Sequence, residues 1–295
     1  MRIEERERTH MPGKMNLNVK VARQVGYCYG VKRALDMAAS AANTGREPIH
    51  TLGPIIHNPQ VVDSLRREGI NVTHRLDDID CGTVIIRSHG VAPATINKAK
   101  RKGIDVIDAT CPFVKKAQQK AAELTDDGYY VIILGEKDHP EVLGIMGHAG
   151  GRAMVIEQAE DLALIPKKER KVGLVVQTTQ SAEKLKQVAG LLSIMVAELK
   201  VYNTICNATA RRQEEALALT ESVDVMLVLG GKNSANTSRL AEMCEETGTP
   251  THHIETAEEI EEGWFQPGNS VGVTTGASTS PDILNEVVAA LKSMS

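Results

Sequence analysis

Cys28, Cys111 and Cys206 each stand where a short apolar run gives way to a helical pattern. Around Cys111, the run at 103–107 reads as a strand, and Phe113, Val114, Ala117, Ala121, Ala122 and Leu124 recur at helical spacing. Pro112 suits the first helical position. A thiol at such a turn faces unpaired backbone N–H groups and the positive end of the helix dipole. Both favour the thiolate, the form that binds metal or attacks carbon. Taken alone, one such cysteine is better read as a small buried hydrophobe. Its recurrence at three places overturns that reading.

Polar residues recur in step with the cysteines. Cys28 to His57 spans 29 residues, Cys111 to His139 spans 28, and Cys206 to Ser234 spans 28. A second polar loop follows each cysteine, with His89, Thr178 and Ser278 lying 61, 67 and 72 residues on. Each marked residue comes just after an apolar run, the strand edge at which open α/β sheets bind ligands. Three converging cysteines suit zinc or an iron–sulfur cluster, but the close C-x₂-C pairing of structural zinc is missing. A 4Fe–4S cluster on three cysteines keeps one iron open as a Lewis acid while supplying electrons. The donors of His57, His89, His139, Ser234, Asn236 and Ser278, with helix N-termini behind them, suit a diphosphate. Glu141 has two readings of equal weight: a proton donor if burial raises its pKa, or a carboxylate complementing a helix start.

The elements that must position these residues alternate strand and helix, which implies parallel α/β sheets. Strands are expected near 19–22, 49–52, 84–86, 130–134, 172–176, 200–202, 225–229 and 271–274. The pattern repeats about every 90 residues and divides the chain at 15–107 (Cys28), 108–199 (Cys111) and 200–295 (Cys206). Each unit is expected to open with the strand that leads into its own cysteine. Residues 1–14, charged and without an apolar core, are expected to form a flexible tail rather than a secretory signal, and Met15 is a second plausible start.

The chain has 295 residues, enough for several ordinary cores, and its formal net charge of −4 offers no footprint for nucleic acid or a membrane surface. No apolar run approaches the roughly 20 residues of a membrane span. Five scattered cysteines are no disulfide framework and point to a reducing compartment, so the cytoplasm is expected. Cys81 and Cys244 fall outside the repeat and are assigned no role. Gly230-Gly231-Lys232-Asn233-Ser234 lacks the upstream glycine of a P-loop, since Met226 stands there, and no G-x-G-x-x-G follows the first strand. The pairs Lys115-Lys116 and Arg211-Arg212 read as solvated helix faces.

Together these segments resemble the 4-hydroxy-3-methylbut-2-enyl diphosphate reductase family. The resemblance rests on Gly26-Tyr27-Cys28-Tyr29-Gly30, Gly53-Pro54-Ile55-Ile56-His57-Asn58-Pro59, Ser88-His89-Gly90, Asp108-Ala109-Thr110-Cys111-Pro112, His139-Pro140-Glu141, Gln177-Thr178-Thr179 and Lys232-Asn233-Ser234. It runs from about Val19 to the C-terminus and implies a trefoil of three pseudo-threefold-related α/β units around a central cluster. It implies that Cys28, Cys111 and Cys206 hold a 4Fe–4S cluster with an open iron site. His57, His89, His139, Ser234, Asn236 and Ser278 would then hold the diphosphate, Thr178 would orient the substrate hydroxyl, and Glu141 would supply a proton. The implied reaction is reductive dehydroxylation to isopentenyl and dimethylallyl diphosphate, with a ferredoxin or flavodoxin as electron donor. Two departures stand out. Ala235 replaces a serine found in some members, and Gly276-Ala277-Ser278-Thr279-Ser280-Pro281 is one residue longer than the usual Gly-Ala-Ser-x-Pro. Ser278, Thr279 and Ser280 are therefore all candidates for the phosphate contact, with Ser278 preferred because Gly276 and Ala277 fix how the chain leaves its strand. No appended RNA-binding module is expected after the final helix. Two other readings are a quinolinate-synthase-like dehydratase, and a binding protein that uses its cluster as a redox or iron sensor.

Overall fold

The computed structural model describes residues 15–295; the tail expected at 1–14 lies outside the described residues. The first stretch runs β1 (Asn18–Val21), α1 (Tyr29–Thr44), β2 (Ile49–Leu52), α2 (Pro59–Arg67), β3 (Ile70–Thr73), β4 (Thr83–Ile86), α3 (Pro93–Arg101) and β5 (Asp105–Asp108). The second runs α4 (Pro112–Asp126), β6 (Tyr130–Leu134), α5 (Pro140–His148), β7 (Ala153–Ile156), β8 (Lys171–Val176), α6 (Ala182–Met195) and β9 (Glu198–Val201). The third runs α7 (Asn207–Thr220), β10 (Val225–Leu229), α8 (Ala235–Glu245), β11 (Thr251–Ile254), β12 (Ser270–Thr275) and α9 (Pro281–Ser293). The expected strands are all present, within two residues at each end.

The strands form three four-stranded sheets, ordered β3-β2-β4-β5, β7-β6-β8-β9 and β11-β10-β12-β1. Every pairing is parallel. This is the α/β trefoil architecture, one sheet per lobe. Because helices cover both faces, the central strands read as continuous apolar runs such as YVIIL in β6 and VMLVL in β10. Alternate residues feed opposite cores: Val131 and Ile133 pack with α4 and α5, while Ile132 and Leu134 pack with α6.

Two expectations are revised. Each unit does not open with its own strand. The strand leading into each cysteine is the edge of another unit's sheet, so β5 completes the sheet that precedes Cys111, and β1 pairs with β12 at the far end of the chain. The chain therefore closes on itself, each cysteine helix linking two sheets. Sequence reading also missed β3, β7 and β11, one edge strand per sheet. These are four residues each and only partly buried, so neither length nor a two-residue alternation marks them. Among the described residues, no helix is long and apolar enough to cross a membrane.

Candidate active site

In each sheet the three strands other than the missed edge end in a loop that supplies one marked residue. β2, β4 and β5 lead to His57, His89 and Cys111, while β6, β8 and β9 lead to His139, Thr178 and Cys206. β10, β12 and β1 lead to Ser234, Ser278 and Cys28. All of these residues, with Glu141 and Asn236, line one central cavity. Thr179 lines it too and was not singled out from sequence. The threefold likeness extends to the backbone. Cys28 N donates to Ala277 O at 3.1 Å, Cys111 N to Ser88 O at 2.9 Å, and Cys206 N to Thr178 O at 3.0 Å.

Cys28, Cys111 and Cys206 are the N-cap residues of α1, α4 and α7. Local turns set up two of them. The Asp108 carboxylate accepts from Thr110 N at 3.0 Å, and the Asn203 side chain accepts from Ile205 N at 3.1 Å, in each case three residues before the cysteine. Gly30 permits the closest approach: a Cβ there would stand 2.5 Å from Cys111 Sγ and 4.0 Å from Cys28 Sγ.

At Cys111 and Cys206 burial opposes the expected thiolate preference. Burial pushes the Cys111 thiol up to about 11, against the pull of the Phe113 and Val114 N–H groups and with further push from Cys28 and Cys206. Burial raises Cys206 likewise, outweighing Thr209 and Ala208. Desolvation costs a charge more than one helix end returns. Cys111 is pushed up by Cys28 and Cys206, and Cys206 by Cys28, so a positive centre between the sulfurs would relieve both, and the donor set fits a thiolate-bound metal group. The two unassigned cysteines lie elsewhere: Cys81 is exposed, and Cys244 is buried in a core with its thiol pushed up to about 12.

The three histidines form a tight cluster. The His57 ring lies 4.5 Å from His89 and 5.8 Å from His139, and His89 lies 5.5 Å from His139. All three pKa values are lowered, first by burial; His89 is also lowered by its two neighbours, and His139 reaches about 4. They are therefore neutral at pH 7. His139 Nδ1 accepts the Glu141 N–H at 3.1 Å, so its proton sits on Nε2. His57 Nε2, His89 Nδ1 and Asn236 Nδ2 are buried without a hydrogen-bond partner. Buried polar atoms left unpaired in this way mark a place for a polar ligand.

Sequence reading missed Arg87. Among the described residues no lysine or arginine lines the cavity, yet the Arg87 charge reaches all three histidines and lowers each of them. Among the described residues it makes no ion pair, and its buried Nε has no partner. Gly53 makes room for it, since a Cβ there would lie 2.6 Å from Arg87 Nη1. The histidines are close enough to hold a metal ion, their ligand atoms lying within 4.8 Å of one another. The adjoining guanidinium argues for an anion instead. Replacing Arg87 by Met should weaken binding of inorganic diphosphate about tenfold or more, as loss of a charge-assisted interaction of about 1.5–3 kcal/mol requires. Calorimetric titration of both proteins checks this; equal affinities would remove Arg87 from the anion site.

Glu141 and Thr178 form a buried pair. Glu141 is 2 % exposed, its Oε1 accepting Thr178 N at 2.7 Å and its Oε2 accepting Thr178 Oγ1 at 2.9 Å. Burial raises its pKa to about 7 despite both bonds from Thr178. The carboxyl thus holds a proton close to neutrality, and its charge reaches the Cys206 thiol.

A second correction concerns Arg211-Arg212. Arg211 is exposed, but Arg212 is only 4 % exposed and reaches the loops before Cys28 and Ser278. Lys115 pairs with Asp108 at 2.6 Å.

The family model described as LytB protein matches residues 19–292. A 4-hydroxy-3-methylbut-2-enyl diphosphate reductase of Geobacter sulfurreducens is 51% identical over 272 residues, covering 92% of this chain and 96% of that protein. A protein of the same name from Pelobacter propionicus is 50% identical, with the same coverage. A solved structure described as (E)-4-hydroxy-3-methyl-but-2-enyl diphosphate reductase, the terminal enzyme of the non-mevalonate pathway, is 43% identical. It covers 94% of this chain and 99% of its own, with a TM-score of 0.69. The E-1-hydroxy-2-methyl-but-2-enyl-4-diphosphate reductase of Plasmodium falciparum is 25% identical. It covers 93% of this chain and 87% of its own, with a TM-score of 0.87.

Proposed function

Because the chain belongs to the LytB protein family, we infer that it reduces (E)-4-hydroxy-3-methylbut-2-enyl diphosphate to isopentenyl and dimethylallyl diphosphate, the last step of the non-mevalonate pathway. The observation that carries this reading is one cavity lined by three cysteines, a cluster of three histidines and Glu141. The reaction takes up two electrons and two protons, releases the hydroxyl oxygen as water and leaves a new C–H bond.

Cys28, Cys111 and Cys206 would hold a 4Fe–4S cluster, which when bound supplies the electrons and an iron with an open position. His57, His89 and His139, neutral and donating, would bind the diphosphate together with Ser234, Asn236 and Ser278. Arg87 supplies the fixed positive charge behind them. The Thr178 hydroxyl, held by Glu141, would orient the substrate hydroxyl, and Glu141 would deliver a proton from its neutral form. The external donor is a ferredoxin or flavodoxin, and the compartment is the cytoplasm, in keeping with five free cysteines. We divide the chain at 15–107, 108–199 and 200–295, each unit carrying one cluster cysteine.

The lengthened loop gives a sharp test. Ser278 Oγ lies in the cavity and donates to His57 O at 3.2 Å. Thr279 instead donates to Leu229 O at 2.9 Å, and Ser280 accepts from Ile283 N at 3.3 Å as the N-cap of α9. These bonds support Ser278 as the phosphate contact, with the extra residue taken up at the helix start. Ser278→Ala should raise the Kd for the allylic diphosphate tenfold or more, about 1.5–3 kcal/mol. Thr279→Ala and Ser280→Ala should leave it within about twofold, Ser280→Ala costing only about 0.5–2 kcal/mol of stability as a lost cap. Titration of the three variants decides it, and a large effect at Thr279 with none at Ser278 would reassign the contact. Wild-type protein that binds neither the allylic nor inorganic diphosphate would overturn the reading as a whole.

A further inference from the structure

Arg212, in the second turn of the helix that Cys206 caps, is a buried guanidinium that makes no ion pair with a carboxylate among the described residues. Its Nη1 donates to Gln24 O at 3.0 Å, Thr275 O at 3.0 Å and Thr275 Oγ1 at 3.1 Å, and its Nη2 donates to Gly26 O at 2.5 Å. Gln24 and Gly26 lead into Cys28, and Thr275 leads into Ser278. One side chain therefore ties the Cys206 helix to the Cys28 loop and to the anion-binding loop, which come from opposite ends of the chain. Glu215, a carboxylate whose charge reaches Arg212, is turned to Gln24 N at 2.8 Å and makes no ion pair with it. Burial lowers the Arg212 pKa, while Cys28, Glu215 and Cys206 act in the opposite sense, so two of the three thiols lie within its field.

A cation this deep is costly unless it is both hydrogen bonded and balanced by negative charge. Its hydrogen bonds go to neutral oxygens, which supply the first condition only. Cys28 and Cys206, once they are thiolates, supply the second. We propose that Arg212 is a positioning residue that fixes the spacing of Cys28 and Cys206 and compensates their charge when they hold the cluster. This rests on the reductase reading for the identity of the metal group. A fixed positive charge beside the cluster favours its reduced, more negative state and slows its loss.

The test uses the cluster-loaded protein under anaerobic conditions, with two readouts apart from turnover. These are the midpoint reduction potential and the rate of iron release to a chelator. Arg212→Met removes charge and fork together; it should shift the potential to more negative values and release iron at least tenfold faster. Arg212→Lys keeps the charge but loses the fork. It should hold the potential near the wild-type value while still releasing iron faster. Should Arg212→Met fail to fold, Arg212→Gln, which keeps two N–H donors without the charge, is read in its place. A merely structural arginine would lower thermal stability in these variants and leave the potential and release rate of the loaded protein unchanged, and that result overturns the proposal. A wild-type protein that takes up no cluster would instead overturn the reductase reading itself.

Discussion

Cys28→Ser, Cys111→Ser and Cys206→Ser should each abolish cluster binding and turnover, whereas Cys81→Ser and Cys244→Ser should leave both near wild type. The oxygen of Ser is a hard ligand with a far higher pKa than a thiol, so each single replacement removes one of three soft donors. No other cysteine can stand in, because Cys81 is exposed away from the cavity and Cys244 is buried in a core on another helix. Anaerobic iron and sulfide analysis of the five variants is the measurement. Full metal content in all five would mean that the three converging thiols are not the ligands.

Glu141→Gln should keep the fold and the diphosphate affinity but lower kcat by about 10²–10⁴-fold, the usual contribution of a positioned proton donor. The amide can still accept the Thr178 N–H, so the loop after β8 stays in place. As a mere helix-start carboxylate Glu141 would contribute only about 0.3–1 kcal/mol of stability, with turnover intact. The pH profile carries the same information. A carboxyl whose pKa rises from 4.5 to about 7 on folding donates below that value, so wild-type kcat falls as pH rises through it. Stability follows the same sign. The raised pKa stabilises the fold below the unfolded value of 4.5, and that stability is lost as pH rises towards about 7. Glu141→Gln should flatten both curves. A variant with normal kcat and a lowered denaturation midpoint would refute the proton-donor role.

Much of this site was legible because the repeat leaves its mark in spacing. Cys28, Cys111 and Cys206 could be aligned through their intervals to His57, His139 and Ser234 without knowing how the strands pair. The closing of the chain could not be read, because nothing local to β1 says that its partner is β12, some 250 residues away. The edge strands β3, β7 and β11 were missed because half-buried four-residue runs have no distinctive period. Arg87 and Arg212 were invisible for a different reason. An isolated arginine carries no periodic signal, and an Arg-Arg pair on a helix normally faces water; the second of this pair turns inwards only because two distant loops present bare carbonyls to it. At Cys111 the thiolate expectation turns on magnitude. The helix N-terminus acts on Cys111 in the expected direction, but burial outweighs it.

Turnover of the loaded protein tests the central claim most directly. Under anaerobic conditions, with a low-potential one-electron reductant and (E)-4-hydroxy-3-methylbut-2-enyl diphosphate, the wild-type chain should form isopentenyl and dimethylallyl diphosphate, consuming two electrons for each molecule of substrate. Loss of cluster by oxidation should stop the reaction, and reconstitution with iron and sulfide should restore it. A protein that carries a full cluster and binds the diphosphate, yet leaves the allylic hydroxyl in place under these conditions, would contradict the account.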